Sequence, residues 1–128
     1  MALTFPPVVE PLARNHRREG FDCGEPALND YLHRQATQDM RRGVSRVYVA
    51  RARGSSRVLG YYTLSAASFG RKSLPEKEAK RLPHYPVPAA LLGRLAVDRG
   101  VQGQHWGRYL LFDALSRVLH AAETLAVY

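Results

Sequence analysis

From Leu91 to Leu111 the chain reads LLGRLAVDRGVQGQHWGRYLL, and no other stretch narrows the possible folds as much. Leu91, Leu92, Leu95, Ala96 and Val97 form the apolar run of a buried strand, which Asp98 closes. A short loop bearing Gly103 and Gly107 then enters a segment with helical spacing: Trp106, Tyr109, Leu110, Asp113, Ala114 and Val118. A strand that passes through glycines into a helix start exposes amides with no intrahelical acceptor, and the helix dipole adds positive charge at the same point. Phosphate is the natural ligand, and the two glycines let backbone approach it closely. On spacing alone a plain strand-to-helix turn is an equal alternative, because short glycine motifs are common.

A chain of 128 residues with 45% hydrophobic content supports one domain with a real core. Nineteen Lys and Arg against eleven Asp and Glu give a formal charge of +8. That favours a polyanionic partner, while simple solubility is the plainer reading. Cys23 is the only cysteine, so an internal disulfide is excluded and a cytoplasmic setting is the default. Residues 1–12 lack a signal-peptide pattern, and no apolar run approaches the roughly 20 residues of a membrane helix. The five histidines show no ligand-pair spacing, so a metal is not expected.

In chain order, Pro6, Pro7 and Pro11 restrict Leu3–Leu12 to an edge strand or extended arm. Phe21 precedes a turn at Asp22–Gly24, where Cys23 reads as a turn thiol with no base beside it. Pro26 opens a helix whose apolar stripe is Leu28, Tyr31, Leu32, Gln35, Ala36 and Met40, with Asn29, Asp30, Arg34, Gln38 and Asp39 on the other side; Gly43 ends it. Val47 and Val49 alternate with Arg46, Tyr48 and Ala50, which predicts a half-buried strand over Ser45–Arg53. A turn at Gly54–Ser56 leads to an antiparallel strand from Val58 to about Ser65, in which Gly60 marks a bulge or a close backbone approach. Tyr61 and Tyr62 fall on opposite faces of it: one packs in the core, and the other either does the same or faces a cleft. Phe69–Pro88 reads as loop, with at most a short helix near Pro75–Lys80 and a positive patch of Arg71, Lys72, Lys77, Lys80 and Arg81. The last helix is expected to reach about Ala122, and Thr124–Tyr128 to begin a further strand.

Several segments together resemble the GCN5-related N-acetyltransferases, and within them the toxins of toxin–antitoxin pairs that acetylate aminoacyl-tRNA. They are Phe21-Asp22-Cys23-Gly24 with Leu28-Asn29-Tyr31-Leu32, Arg46-Val47-Tyr48-Val49, Gly60-Tyr61-Tyr62-Thr63-Leu64-Ser65 and Leu92-Gly93-Arg94-Leu95-Ala96-Val97-Asp98. The resemblance implies an α+β acetyltransferase fold over residues 1–128, shortened at its C-terminus. It also implies acetyl-CoA as co-substrate, its pyrophosphate on Gln102, Gly103, Gln104, His105, Trp106, Gly107 and Arg108, and its pantetheine along the backbone of Leu95, Ala96 and Val97. His105 stands where the family pattern has its inner glycine, so weakened CoA binding is expected. The family's tyrosine acid belongs to a segment after the strand begun at Thr124 and has no counterpart up to Tyr128, so slow turnover is expected.

Two functions are compatible with these residues. In one, the α-amine of aminoacyl-tRNA attacks the acetyl-CoA thioester directly, with the Val97 N–H polarising the carbonyl and Tyr62 a weak candidate for the missing acid. Arg46, Arg71, Lys72 and Arg94 would hold the acceptor end through phosphates. In the other, the fold is a catalytically incomplete module that binds an antitoxin of the ribbon-helix-helix kind or nucleic acid without turnover. A homodimer is expected in either case, to cover the edge at Leu125 and Val127 and the apolar side of the last helix.

Overall fold

The computed structural model describes residues 5–69, 75–80 and 87–124. Their frame is one antiparallel sheet in simple chain order: β1 (Val8–Pro11), β2 (Arg46–Arg51), β3 (Gly60–Phe69) and β4 (Val87–Val97). One face is covered by α1 (Pro26–Asp30), a π turn (Tyr31–Gln35) and α2 (Ala36–Arg41). The other is covered by α4 (Trp106–Thr124), and α3 (Glu76–Ala79) is a single turn between β3 and β4. The core is therefore double: Leu32, Ala36, Val47, Val49, Tyr61 and Ala96 on the first face, and Ala50, Tyr62, Val97, Trp106, Leu110 and Ala114 on the second. No helix of the described residues is long and apolar enough to cross a membrane.

The proline-rich arm is an edge strand, with Val8 to Pro11 paired to Arg51 to Tyr48. Pro11 is tolerated because β1 has a neighbour on one side only among the described strands. A side-chain clasp closes this edge. The Nδ1 of buried His16 accepts from the Ala13 N–H at 2.8 Å, which leaves Nε2–H to donate to Glu10 at 2.8 Å, and Arg51 Nε donates to the same carboxylate oxygen at 2.6 Å. The Arg51 and then the His16 hydrogen bonds hold the Glu10 carboxyl below its ordinary pKa.

β2 shows the expected alternation, with Val47 and Val49 buried against α1 and α2, Arg46 exposed and Tyr48 partly buried; the departure is Ala50, which is equally inaccessible on the α4 side because its small side chain packs there. Gly60 is a close approach and not a bulge: a Cβ there would lie 2.9 Å from Leu110 Cδ1 and 3.2 Å from the Ala96 carbonyl oxygen. The bulge lies further along, where the β3–β4 register shifts between Thr63 and Leu64 and Gly93 becomes the extra residue. Both strands flanking the Phe69–Pro88 stretch run longer than expected, β3 reaching Phe69 instead of about Ser65 and β4 starting at Val87 instead of Leu91, while the short helix expected near Pro75–Lys80 is α3. Arg71, Lys72 and Arg81 lie outside the described residues, as do Leu125–Tyr128; Thr124 is still helical.

The single helix expected from Pro26 to Gly43 is interrupted. Pro26 does start it, but in the π turn the Ala36 N–H bonds to the Tyr31 carbonyl, one residue further back than α geometry requires. The Leu32 carbonyl is thereby released, and Arg18 takes it: Nη1 donates to the Leu32 carbonyl at 3.0 Å and Nη2 to Thr37 Oγ1 at 2.6 Å. Gln35, placed in the apolar stripe by periodicity, is exposed. Asn29, placed on the polar side, clamps the preceding turn by accepting from the Cys23 N–H at 2.9 Å and donating to Asp22 at 3.0 Å.

Candidate functional site

The end of β4 supplies the first part of the site. The Asp98 N–H donates to the Leu59 carbonyl at 2.8 Å, so by antiparallel alternation Ala96 and Asp98 bond toward β3 while Leu95 and Val97 turn their backbone groups outward. No other described strand lies on that side. The Val97 carbonyl accepts from Gln102 Nε2 at 2.9 Å, and the same nitrogen reaches the Cys23 carbonyl at 3.0 Å. Among the described residues the outward N–H groups of Leu95 and Val97 thus face no strand and are placed to pair with an extended ligand.

Asp98 organises the turn that leads out of the strand. It is 5% exposed; one carboxylate oxygen accepts from the Asp22 N–H at 3.0 Å and the other from the Gly100 N–H at 2.8 Å. It thus caps the 3₁₀ turn Arg99–Val101 and ties it to the Phe21–Gly24 turn, where Arg99 N–H also donates to the Asp22 carbonyl at 2.8 Å. Gly103 then turns the chain with φ of 81°, and His105 with φ of 68° is the one non-glycine among the described residues in the left-handed region. The position is thus one that favours glycine. The first hydrogen bond of α4 runs from the Tyr109 N–H to the His105 carbonyl at 3.0 Å. The amides of Trp106, Gly107 and Arg108 consequently have no helical acceptor and mark the positive end of a 19-residue helix.

Trp106 contributes to this loop only through its amide. Its ring is 1% exposed within the α4 core, so a ligand contact through the indole is ruled out by packing. Tyr62 is corrected in the same way. It is fully buried on the α4 side, its hydroxyl donates to Asp113 at 2.5 Å, and Arg117 holds that carboxylate from 2.9 Å. Burial first, and then Asp113, push its phenol far above the usual range. Tyr61 is equally buried and donates to the Leu28 carbonyl at 2.6 Å, so both hydroxyls are committed inside the fold.

The second part of the site is a cleft of about 360 Å³ between β4 and the interrupted helix, lined by Leu28, Asp30, Tyr31, Arg34, Gln35 and Arg94. The Arg94 guanidinium lies 3.7 Å from the centroid of the Tyr31 ring. That ring is near-parallel to Tyr61 at 6.1 Å, and its hydroxyl donates to Asp39 at 2.8 Å. Arg94 and the Leu95–Val97 edge thus belong to consecutive residues of one strand. Arg46 is not with them: it lines a separate cleft with Tyr48 and Arg117 on the α4 side of the sheet. Tyr31 and Asn29 stand beside this site although the sequence does not mark them as site residues; there they appear only in the helix periodicity and in the segments that carry the resemblance. Among the described residues no group of three or more His, Cys, Asp or Glu is placed to hold a metal.

A sheet edge that ends beside a glycine-bearing helix start fits the N-acetyltransferase fold that the resemblance implies, and comparison with known proteins narrows the class further. No family model matches the chain. It is 40% identical over 107 residues to the tRNA-acetylating toxin of Mycobacterium tuberculosis, covering 84% of this chain and 63% of that protein. A crystal structure of a Tyr-to-Phe variant of KacT superposes with a TM-score of 0.88 at 36% identity, covering 95% of this chain and 74% of that one. AtaT complexed with acetyl-methionyl-tRNAfMet superposes with a TM-score of 0.86 at 34% identity, with the same two coverages. Other similar structures are AtaTR bound with acetyl-CoA and AtaT bound to the C-terminus of the antitoxin AtaR. The chain belongs to the GCN5-related N-acetyltransferase toxins. It spans a little under two thirds of the length of the mycobacterial relative.

Proposed function

We propose that this chain binds acetyl-CoA and transfers the acetyl group to the α-amine of an aminoacyl-tRNA, which blocks its use in translation. The observation that carries the reading is that β4 presents Arg94 and the outward amides of Leu95 and Val97 in succession and is tied through Gln102 to the loop ahead of the Trp106–Arg108 amides, which have no helical acceptor. In this reading the pyrophosphate lies on the loop Gln102–Arg108 and the pantetheine pairs with the β4 edge. The thioester carbonyl then meets the Val97 N–H, and Arg94 takes phosphate of the acceptor end. The neutral amine attacks the carbonyl carbon, the C–S bond breaks with CoA leaving as a thiolate, and the proton shed by the nitrogen passes to solvent. The likeness to AtaT bound with acetyl-methionyl-tRNAfMet and to AtaTR bound with acetyl-CoA supports both substrates. The likeness to AtaT bound to AtaR supports an antitoxin partner, which we read as a ribbon-helix-helix protein in the cytoplasm.

His105 gives the direct test. A non-glycine residue in the left-handed region costs roughly 1–2 kcal/mol, and this exposed side chain immediately precedes the amides of Trp106–Arg108. Replacing it with glycine relieves that cost and removes the side chain before those amides, offset by about 0.4–1 kcal/mol of added freedom in the unfolded chain. Calorimetry is expected to show acetyl-CoA binding tightened by about five- to tenfold in His105→Gly, at an unchanged or slightly higher melting temperature. Unchanged affinity would place the diphosphate elsewhere, and absence of acetyl transfer from labelled acetyl-CoA to any aminoacyl-tRNA would refute the activity.

We also propose a homodimer. Phe112, Leu115 and Leu119, exposed by 61%, 48% and 65%, form a stripe on the outer side of α4. Light scattering on a size-exclusion column is expected to give twice the chain mass; a monomer mass that is constant on dilution refutes it.

A further inference from the structure

We propose that Arg18 is the positioning residue that sets the Tyr31–Arg94 pair, acting through the carbonyl that the π turn leaves over. Its value for acceptor binding rests on the reading of that cleft given above; its effect on the pair does not. Arg18 touches neither the cleft nor the CoA loop. It is held from behind by its neighbours: Arg17 N–H donates to the Ser56 carbonyl and Val58 N–H to the Arg17 carbonyl, each at 2.8 Å, and the Phe21 N–H donates to the carbonyl of Arg18 at 3.1 Å. This backbone tether directs the guanidinium fork at α2, where one arm takes the Leu32 carbonyl and the other Thr37 Oγ1.

The physical link runs through the choice of register. With the π turn in place, Ala36 N–H serves the Tyr31 carbonyl, and the Leu32 carbonyl belongs to a residue with no exposed surface. A buried carbonyl without a donor bears the cost of its lost hydration with nothing in return. If Arg18 is removed, the helix lowers that cost by returning to α register, so that the Ala36 N–H turns back to Leu32. That change rotates the residues before it about the helix axis relative to those after it. Tyr31 is the first residue of the π turn and is tied forward to Asp39 at 2.8 Å, so it cannot keep both that bond and its place beneath Arg94. In this way Arg18 decides, from outside the cleft, whether a flat guanidinium surface is held at the acceptor side of β4.

The test uses the whole chain and reads Arg94 directly. A guanidinium 3.7 Å from a ring centroid has side-chain protons shifted upfield by the ring current, and these are assigned by NMR. In Arg18→Met most of that upfield shift is expected to disappear, with KM for aminoacyl-tRNA raised about tenfold and with kcat and acetyl-CoA affinity within about twofold of the parent. Arg18→Lys, which keeps the charge and one donor, is expected to restore part of both. Thr37→Val, which removes only the second arm, is expected to leave the Arg94 shift in place. This last variant keeps the fold intact and guards against simple destabilisation by Arg18→Met. An Arg94 shift retained in Arg18→Met, or lost equally in Thr37→Val, overturns the proposal and leaves the acceptor reading untouched. A lost shift with unchanged KM supports Arg18 as the setter of the pair and refutes the cleft as acceptor site.

Discussion

Acetyl-CoA binding by Gly107→Asp is expected to fall by at least about 100-fold while the fold is retained. A carboxylate at the second residue of α4 competes for the very amides that would hold a diphosphate, and it repels the ligand's charge. Two like charges about 4 Å apart at an effective dielectric near 20 repel by roughly 4 kcal/mol, which exceeds the ~2.7 kcal/mol that a 100-fold loss requires. Stability is not expected to follow, because acidic residues in a first helical turn are favourable and the added Cβ meets nothing closer than Val97 Cγ2 at 3.7 Å. Gly107→Ala separates charge from size: its methyl makes that same ordinary contact, and binding is expected to stay within about threefold of the parent. Calorimetry with a melting curve for each variant reads both quantities. Binding by Gly107→Asp within threefold of the parent would move the anion site away from α4.

How much of this site the sequence discloses depends on whether a feature is local. The strand from Leu91, the turn at Asp98, the glycine loop and the helix from Trp106 are all set by neighbours within one or two turns, and the structure places them together. The left-handed backbone at His105 has a local signal too, since the residue stands where the resemblance expects glycine. Register is not local. Arg46 and Arg94 look alike in sequence, yet Arg46 sits opposite Leu64 and Arg94 opposite Thr63, and adjacent residues of one strand point to opposite faces. They end on opposite sides of the sheet, which no composition or spacing reveals.

The π turn was hidden for a different reason. Leu28, Tyr31, Leu32, Ala36 and Met40 satisfy an ordinary amphipathic stripe, so apolar spacing carries no record of a single carbonyl changing partner. Only Arg18, well before it in the chain, reveals the change, and its role appears once the carbonyl and the guanidinium are seen 3.0 Å apart. Trp106 and Tyr62 illustrate the converse. Both carry groups able to meet a ligand, but Trp106 with Leu110 and Ala114 forms the i, i+4 face that α4 buries, and Tyr62 lies beneath the same helix. Packing had prior use for these side chains.

Asp98→Ala is expected to cause the largest loss of stability, and to weaken binding at the same time. The carboxylate is buried and accepts two backbone N–H groups from separate segments, Asp22 and Gly100. Truncation removes two hydrogen bonds to a charged group, each worth about 1.5–3 kcal/mol, so roughly 2–4 kcal/mol in all once water takes up part of the loss at half-buried Asp22 and exposed Gly100. At about 4 °C per kcal/mol for a domain of this size, the melting temperature is expected to drop by about 8–16 °C. The functional loss comes from the geometry that the tie controls. Without it the 3₁₀ turn loses its cap, and Gln102 no longer bridges the Val97 and Cys23 carbonyls from a fixed base. The glycine loop then enters α4 from an unfixed angle, and acetyl-CoA affinity is expected to fall by about tenfold or more even at temperatures where the chain is folded. Asp98→Asn keeps one acceptor oxygen and is expected to recover part of each loss. Thermal melts and calorimetry on the two variants decide the matter: an Asp98→Ala chain that melts within about 2 °C of the parent, or binds acetyl-CoA with parental affinity, would show that the loop is held by contacts other than this carboxylate.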